Sequence, residues 1–463
     1  QTYATSGGRS SEAHAPFFRV QKGKVGYLIA IGWTGQWRAE FCRTCDSIRL
    51  RTQIEDTAFR VLPGECFRTS SVLILPYADG EEEAHNRFRR LLRSLAPPAA
   101  RELPLAAGVW GGMPSADVLA RVDAIRRHRL PFTHIWMDAG WYGIDTAPTP
   151  NEFEGDWSAH TGDYRVSPKI HPAGLCDVTA AVHAAGMKFL LWFEPERIRR
   201  ETPLAAAHPE WLLPVPGDEE NLLLNLGDPA AWAYCHALLR ESIARLSIDC
   251  YRQDCNIAPL AAFRAHDGDG RRGMTEILHI NGLYRLWDAL LAEFPALLID
   301  NCAAGGRRID LETLRRSVPL WRSDMQCPAN YDPDASQCHA GTFSLFLPYS
   351  GTGSGRLYDE YRIRSAYAPA MTTNYTFSLT ETFGEDEEEI TFLRRYLAEY
   401  RQVQPYLCED FYNLTAPSAQ KDVFAAMQYH RPAVGDGVLL LYRRENAPYE
   451  SATFPLRGLC PDR

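Results

Sequence analysis

At 463 residues, 45% of them hydrophobic, the chain is too long for one small domain and has ample apolar material for a large core. A net charge of -9 with no clustered basic face excludes a phosphate-backbone partner, because such binding rests on many Lys and Arg contacts. No apolar run approaches the roughly 20 residues that a membrane helix needs, so no membrane span is expected.

From Val25 to Tyr77 the chain alternates short β-rich runs (VGYLIAIGW, SIRLRT, AFRVLP, SSVLILPY) with Gly, Pro and polar breaks, the pattern of an antiparallel β-sandwich module. Trp33 and Trp37 in GWTGQW are expected in its core. A helix is predicted over 81–95 (EEEAHNRFRRLLRSL), and PPAARELP after it reads as a linker.

Beyond the linker the rhythm becomes strand then helix, repeated, the signature of a parallel sheet with crossover helices. Predicted strands are AAGVW (106–110), THIWMD (133–138), MKFLLWFE (187–194), IDCYRQD (248–254), LLIDN (297–301) and PLWRSD (319–324), with weaker ones in the LFLPYS region and at MTTNY near 371. Eight units fit a (β/α)8 TIM barrel, in which functional side chains project from the C-terminal ends of the strands. These strands end in Trp110, Asp138, Glu194, Asp254, Asn301 followed by Cys302, and Asp324. A doubly wound open sheet competes, but its Gly-rich phosphate turn has only a weak match in VWGGMPS. GTGSG at 351–355 lacks the Lys and Ser/Thr of a phosphate loop and reads as a flexible turn.

A long helix is predicted from Ile390, with the acids of EDEEE at its N-terminus favourably placed against the helix dipole. The tail (FAAMQYH, GVLLLYRR, SATFPL) returns to β-pattern, too few strands to close a sandwich. The expected division is therefore 1–98 for the β-module with its helix, 104–385 for the barrel, and 386–463 for the second helix and a C-terminal β-module.

Twelve thinly spread cysteines do not resemble a disulfide framework, which favours reduced thiols and a cytoplasmic setting, although the Gln1 start leaves export open. Cys42 and Cys45 have no second CxxC or His pair, and the 13 His show no HExxH spacing, so neither metal nor cofactor is expected.

Asp254 and Asp324, two strands apart on one rim, are the pairing that glycoside hydrolysis requires: one carboxylate attacks the anomeric carbon or activates water, the other protonates the leaving oxygen. The attacking group must stay ionised, which a cation at Arg252 and an amide at Asn256 favour. The acid must hold its proton, which Trp321 and the other carboxylate promote.

WMDAGWYG, LLWFEPE, YRQDCN, NCAAGGRRID and LWRSD, in this order and each at a predicted strand end, resemble the barrel motifs of glycoside hydrolase family 36, the retaining α-galactosidases and α-N-acetylgalactosaminidases. The resemblance covers roughly 105–380. It implies Asp254 as nucleophile and Asp324 as general acid/base, with double displacement across carboxylates about 5–5.5 Å apart. It also implies sugar contacts from Asp138, Trp192 and Trp110, and a loop bearing Cys302, Gly305 and Arg307 near the sugar C2. Arg307 is equally readable as a loop anchor.

Three departures stand out. Arg252 replaces the family's Lys, a planar fork able to bridge two hydroxyls but not equivalent to an ammonium. Ala139 replaces a second carboxylate, and NLLLNLGDP offers no counterpart to the family's further Arg. Ala303 and Ala304 leave open a pocket for an acetamido or amino group at C2, as in an α-N-acetylgalactosaminidase or α-galactosaminidase; simple packing of the two alanines is the competing reading. Glu194 and Glu196 are open to ion pairing with Arg197 or Arg199, the preferred reading for Glu196, and Asp156 and Asp163 to organising a rim loop. The expected partner is an oligosaccharide or glycoconjugate with a terminal α-galactosyl-type sugar; homo-oligomerisation, transglycosylation and a silent carbohydrate-binding role stay open.

Overall fold

The computed structural model describes residues 1–459 apart from 79, 329, 356–358, 374–382 and 384. Its centre is a parallel barrel. Strands Leu105–Val109, His134–Met137, Lys188–Phe193, Cys250–Gln253 and Leu298–Asn301 pair side by side in chain order. Gly351–Gly353 and Ala370–Thr373 pair with each other, and the latter pairs back onto Leu105–Val109. The gap between the fifth and seventh strands is filled by 318–322. This sixth segment bridges Asp300 through Val318, and on its other side the Gly351 N–H donates to the Pro319 carbonyl at 2.8 Å. Eight segments thus close into a TIM barrel.

Strand alternation sorts the side chains into two cores. Ala106, Trp136, Leu190, Cys250, Leu298, Leu320 and Ala370 form a cluster inside the ring. Their neighbours Leu105, Ile135, Phe189, Tyr251, Ile299 and Met371 form another cluster with residues of the surrounding helices, such as Leu239, Ile243 and Leu283. Two of the long helices begin where a side chain satisfies free N–H groups. Asp228 accepts from Ala230 and Ala231 at 2.8 and 2.9 Å ahead of Pro229–Leu246, and Asp386 caps Glu387–Val403, with three acids in its first turn.

Two expectations need correction here. The seventh strand is not in LFLPYS but in GTGSG, read from sequence as a turn. A Cβ at Gly351 would lie 2.1 Å from the Leu320 carbonyl, and one at Gly353 2.4 Å from the Trp321 ring. The glycines therefore admit the close approach of the sixth segment, a use of strand Gly that periodicity does not reveal. MTTNY is strand as far as Thr373; its Asn374 and Tyr375 lie outside the described residues.

Two three-stranded antiparallel sheets precede the barrel: Thr2–Ala4 with Trp37–Arg43 and Ile48–Ile54, and Phe17–Lys22 with Val25–Gly32 and Ser71–Tyr77. Of AFRVLP only Ala58–Phe59 is strand, paired with Arg271–Arg272. Trp33 and Trp37 are fully buried, and they pack against Met274, Ile277, Ile280 and Tyr284 of helix Met274–Glu293. They seat the module on the barrel as well as filling its core. Helix Glu81–Leu95 is as predicted, and the linker contains a 3-10 turn, Pro98–Arg101. After the barrel, Asp410–Asn413, Phe424–Arg431 and Asp436–Arg443 form a three-stranded sheet; SATFPL carries no strand.

Candidate active site

At the C-terminal mouth of the barrel, Asp254 follows the fourth strand and is almost wholly buried. Four donors meet its carboxylate. Oδ1 accepts from the Cys255 and Ala304 N–H groups at 2.7 and 3.0 Å; Oδ2 accepts from Trp192 Nε1 and Asn256 Nδ2 at 3.1 and 3.0 Å. Burial alone would raise its pKa, but the Arg252 guanidinium and then these donors outweigh it, so the group is held below the ordinary aspartate range.

Asp324 follows the sixth segment and is exposed at the mouth, where Trp321 Nε1 donates to its Oδ1 at 3.0 Å. Its pKa moves the other way: desolvation and then the Asp254 charge raise it, against Arg252, the Trp321 bond and Arg307. The loop 302–306 joins the two carboxylates. Ala304 (φ 44°) and Gly305 (φ 81°) both have left-handed backbone, which aims the Ala304 N–H at Asp254. A Cβ on Gly305 would meet the Asp324 backbone N at 2.9 Å, so the second carboxylate abuts this same loop. One carboxylate kept ionised and a neighbour pushed toward protonation suit acid/base chemistry at a shared centre.

Beneath Asp254, Arg252 is buried with its guanidinium 4.5 Å over the Trp136 ring. Its Nη1 donates to Asp300 Oδ2, its Nη2 lies 3.1 Å from Cys302 Sγ, and its Nε lies 3.5 Å from Asp138 Oδ2. These guanidinium contacts are to protein, because strand register sets Arg252 directly beside Asp300. Asn256 is likewise engaged by carboxylates, its Nδ2 also donating to Glu194 Oε2 at 3.1 Å. Asp138 is buried and accepts from Trp136 Nε1 at 3.0 Å. Burial raises the Cys302 thiol well above its usual range, so it stays a neutral S–H, 3.6 Å from the Gly305 carbonyl.

Trp192 stacks on Tyr142 at 5.7 Å and takes the edge of Trp157 at 5.6 Å, and Trp157 also meets Trp110 at 6.4 Å. Trp110 itself is buried and donates to Thr149 Oγ1 at 2.8 Å. Arg307 is exposed, its Nη1 3.6 Å from Glu12 of the first module, which favours the loop-anchor reading. Ala303 is buried in an apolar cluster with Leu223, Cys255, Ile257 and Phe263, which favours the packing reading for that residue, and Ala304 is half-buried.

The two glutamates of WFEPE are both paired. Glu194 takes Arg197 Nη2 at 2.6 Å, and Glu196 takes Arg308 through both oxygens at 2.6 and 2.9 Å, with His279 Nε2 at 2.9 Å. The partners of Glu196 differ from the Arg197 or Arg199 expected, because Arg308 arrives from the loop after the fifth strand. Asp156 caps the turn Trp157–His160 and Asp163 pairs with Arg165, consistent with a rim-loop role. Sequence reasoning missed Asp300 and Trp157. Asp300 shares strand parity with Leu298 and Cys302, a signal that could have placed it inside the barrel.

The site thus lies in a closed parallel barrel with two carboxylates on its rim, one held ionised and the other pushed toward protonation. The Melibiase family model matches residues 115–350, half of the chain, and the chain belongs to that family. An alpha-galactosidase of Escherichia coli is 28% identical over 341 residues, covering 68% of this chain and 45% of that protein. Alpha-galactosidase 1 of Pediococcus pentosaceus is 24% identical over an alignment covering 100% of this chain and 64% of that protein. Among solved structures, the GH36 alpha-galactosidase AgaA of Geobacillus stearothermophilus superposes with a TM-score of 0.84 at 21% identity, over 100% of this chain and 66% of that one. The chain thus spans 45% to 66% of the length of these relatives.

Proposed function

We propose that this barrel is a retaining, exo-acting α-galactosidase that removes terminal α-linked galactose-type residues by double displacement. Asp254 attacks C1 while Asp324 gives its proton to the glycosidic oxygen, leaving a β-linked glycosyl ester and the freed alcohol. Asp324, now a carboxylate, takes a proton from water as the water oxygen attacks C1, and the ester bond to Asp254 breaks. The observation that carries this reading is the opposite electrostatic treatment of two carboxylates touching one loop: four donors and Arg252 for Asp254, a raised pKa for Asp324. The substrate class is supported by the relatives, since AgaA variants were crystallised with stachyose and raffinose. Nitrophenyl α-galactoside, α-N-acetylgalactosaminide and α-galactosaminide assayed together test it: turnover of the first is expected, and turnover of none of the three would end the proposal. Turnover of an N-acetylated or amino sugar alone would instead favour the C2-substituted glycone.

A further inference from the structure

Asp300 is a fully buried carboxylate that the chemistry above leaves unused. It is the penultimate residue of the fifth strand, in register with Arg252. Oδ2 accepts from Arg252 Nη1, and Oδ1 accepts from the Leu320 N–H at 2.8 Å. Each bond leads to one of the two rim carboxylates. Arg252 sits two residues before Asp254 and touches Cys302, which opens the loop that supplies the Ala304 N–H. Leu320 lies four residues before Asp324, in the one barrel segment joined to the fifth strand by a single bridge. A buried anion is costly unless paired, and a buried ion pair is often no better for stability than apolar residues of the same size. Stability alone is therefore a weak reason for this carboxylate, whereas orientation of its neighbours is a specific one.

We propose that Asp300 is a positioning residue: by fixing the Arg252 guanidinium against Cys302 and the Leu320 amide upstream of Asp324, it holds both reacting carboxylates in one frame. The proposal rests on the α-galactosidase reading. Other charged or titratable groups that act on the pair are Asp138 after the second strand, Cys250 on the fourth, Asp254 after it, Cys302 after the fifth and Asp324 after the sixth, while Glu194 after the third acts on Asp254.

The test is a double-mutant cycle read by activity, pH profile and amide exchange. Asp300→Asn keeps an acceptor for Leu320 but removes the anion that anchors Arg252; kcat should fall about 10²-fold, the scale of a small misplacement at a reacting centre. In the Arg252→Met background the same change should cost little, because Asp300 acts through Arg252. Arg252→Met alone should move the acidic limb of kcat/KM upward by about 1–3 pH units, since the cation holding Asp254 ionised is gone. Arg252→Lys combined with Asp300→Glu, a shorter cation against a longer anion, should recover activity that Arg252→Lys alone loses. Hydrogen–deuterium exchange over residues 302–306 needs no substrate: it should quicken in Asp300→Asn and no further in the double variant. Strictly additive costs in the cycle, or exchange over 302–306 unchanged in Asp300→Asn, would overturn the proposal. A wild-type protein that turns over no α-galactoside sinks the function reading instead, and the exchange arm still decides this one.

Discussion

Asn256→Ala removes one of the four donors on Asp254, together with its bond to Glu194. The bond lost from Asp254 is Nδ2 to Oδ2 at 3.0 Å, a hydrogen bond to a charged group in a buried setting. Such bonds contribute about 1.5–3 kcal/mol, and at 1.36 kcal/mol per pKa unit that corresponds to a rise of about 1–2 units for the nucleophile. The lower half of that range is expected, because Trp192, two backbone N–H groups and Arg252 remain. The sign follows from the direction of the native shift. Asp254 is depressed, so its ionised form is lost as pH falls, and raising its pKa moves that loss to higher pH. The acidic limb of kcat/KM for nitrophenyl α-galactoside should therefore move up by about one pH unit, while the basic limb, set by Asp324, stays nearly in place. An acidic limb that does not move, in a variant with native circular dichroism, would refute the assignment of Asn256 as a donor that keeps Asp254 ionised.

Asp254→Ala should lose many orders of magnitude in rate with native-like folding, and azide should restore turnover through the vacated space; full activity in this variant refutes the assignment. Gly353→Ala should destabilise by about 1–3 kcal/mol, since the new methyl would lie 2.4 Å from the Trp321 ring, and should lower kcat as Trp321 shifts away from Asp324; a thermal melt with parallel kinetics checks both. Glu196→Gln should cost about 3–5 kcal/mol by leaving buried Arg308 without its anion. The Glu196 pKa lies below the ordinary glutamate range, against its burial, because of Arg308 and His279; its contribution is present above that range and lost as pH falls, so the urea midpoints of wild type and variant should converge in acid.

The barrel was legible because six strands end in polar or aromatic residues after apolar runs. What escaped was whatever depends on contacts between segments distant in sequence. Gly351 and Gly353 look like a turn because the crowding that requires them comes from Leu320 and Trp321. The strands at 2–4, 17–22 and 37–43 carry charged or polar residues that blur the period-2 pattern, as in FFRVQK and WRAEFCR. At the site, YRQDCN announced Asp254 with a cation and an amide nearby. The direction in which each points was not readable: Arg252 turns down to Asp300, and Asn256 is shared between two carboxylates. Arg307 was ambiguous for the same reason, since its partner Glu12 is far away in the chain.

The most direct measurement is to trap the covalent intermediate with a fluorinated, slowly released α-galactosyl donor and map the adduct by peptide mass spectrometry. The glycosyl mass should sit on Asp254, in the tryptic peptide between Arg252 and Arg264. An adduct on any other carboxylate, or a first-formed product with inverted anomeric configuration, would contradict the account.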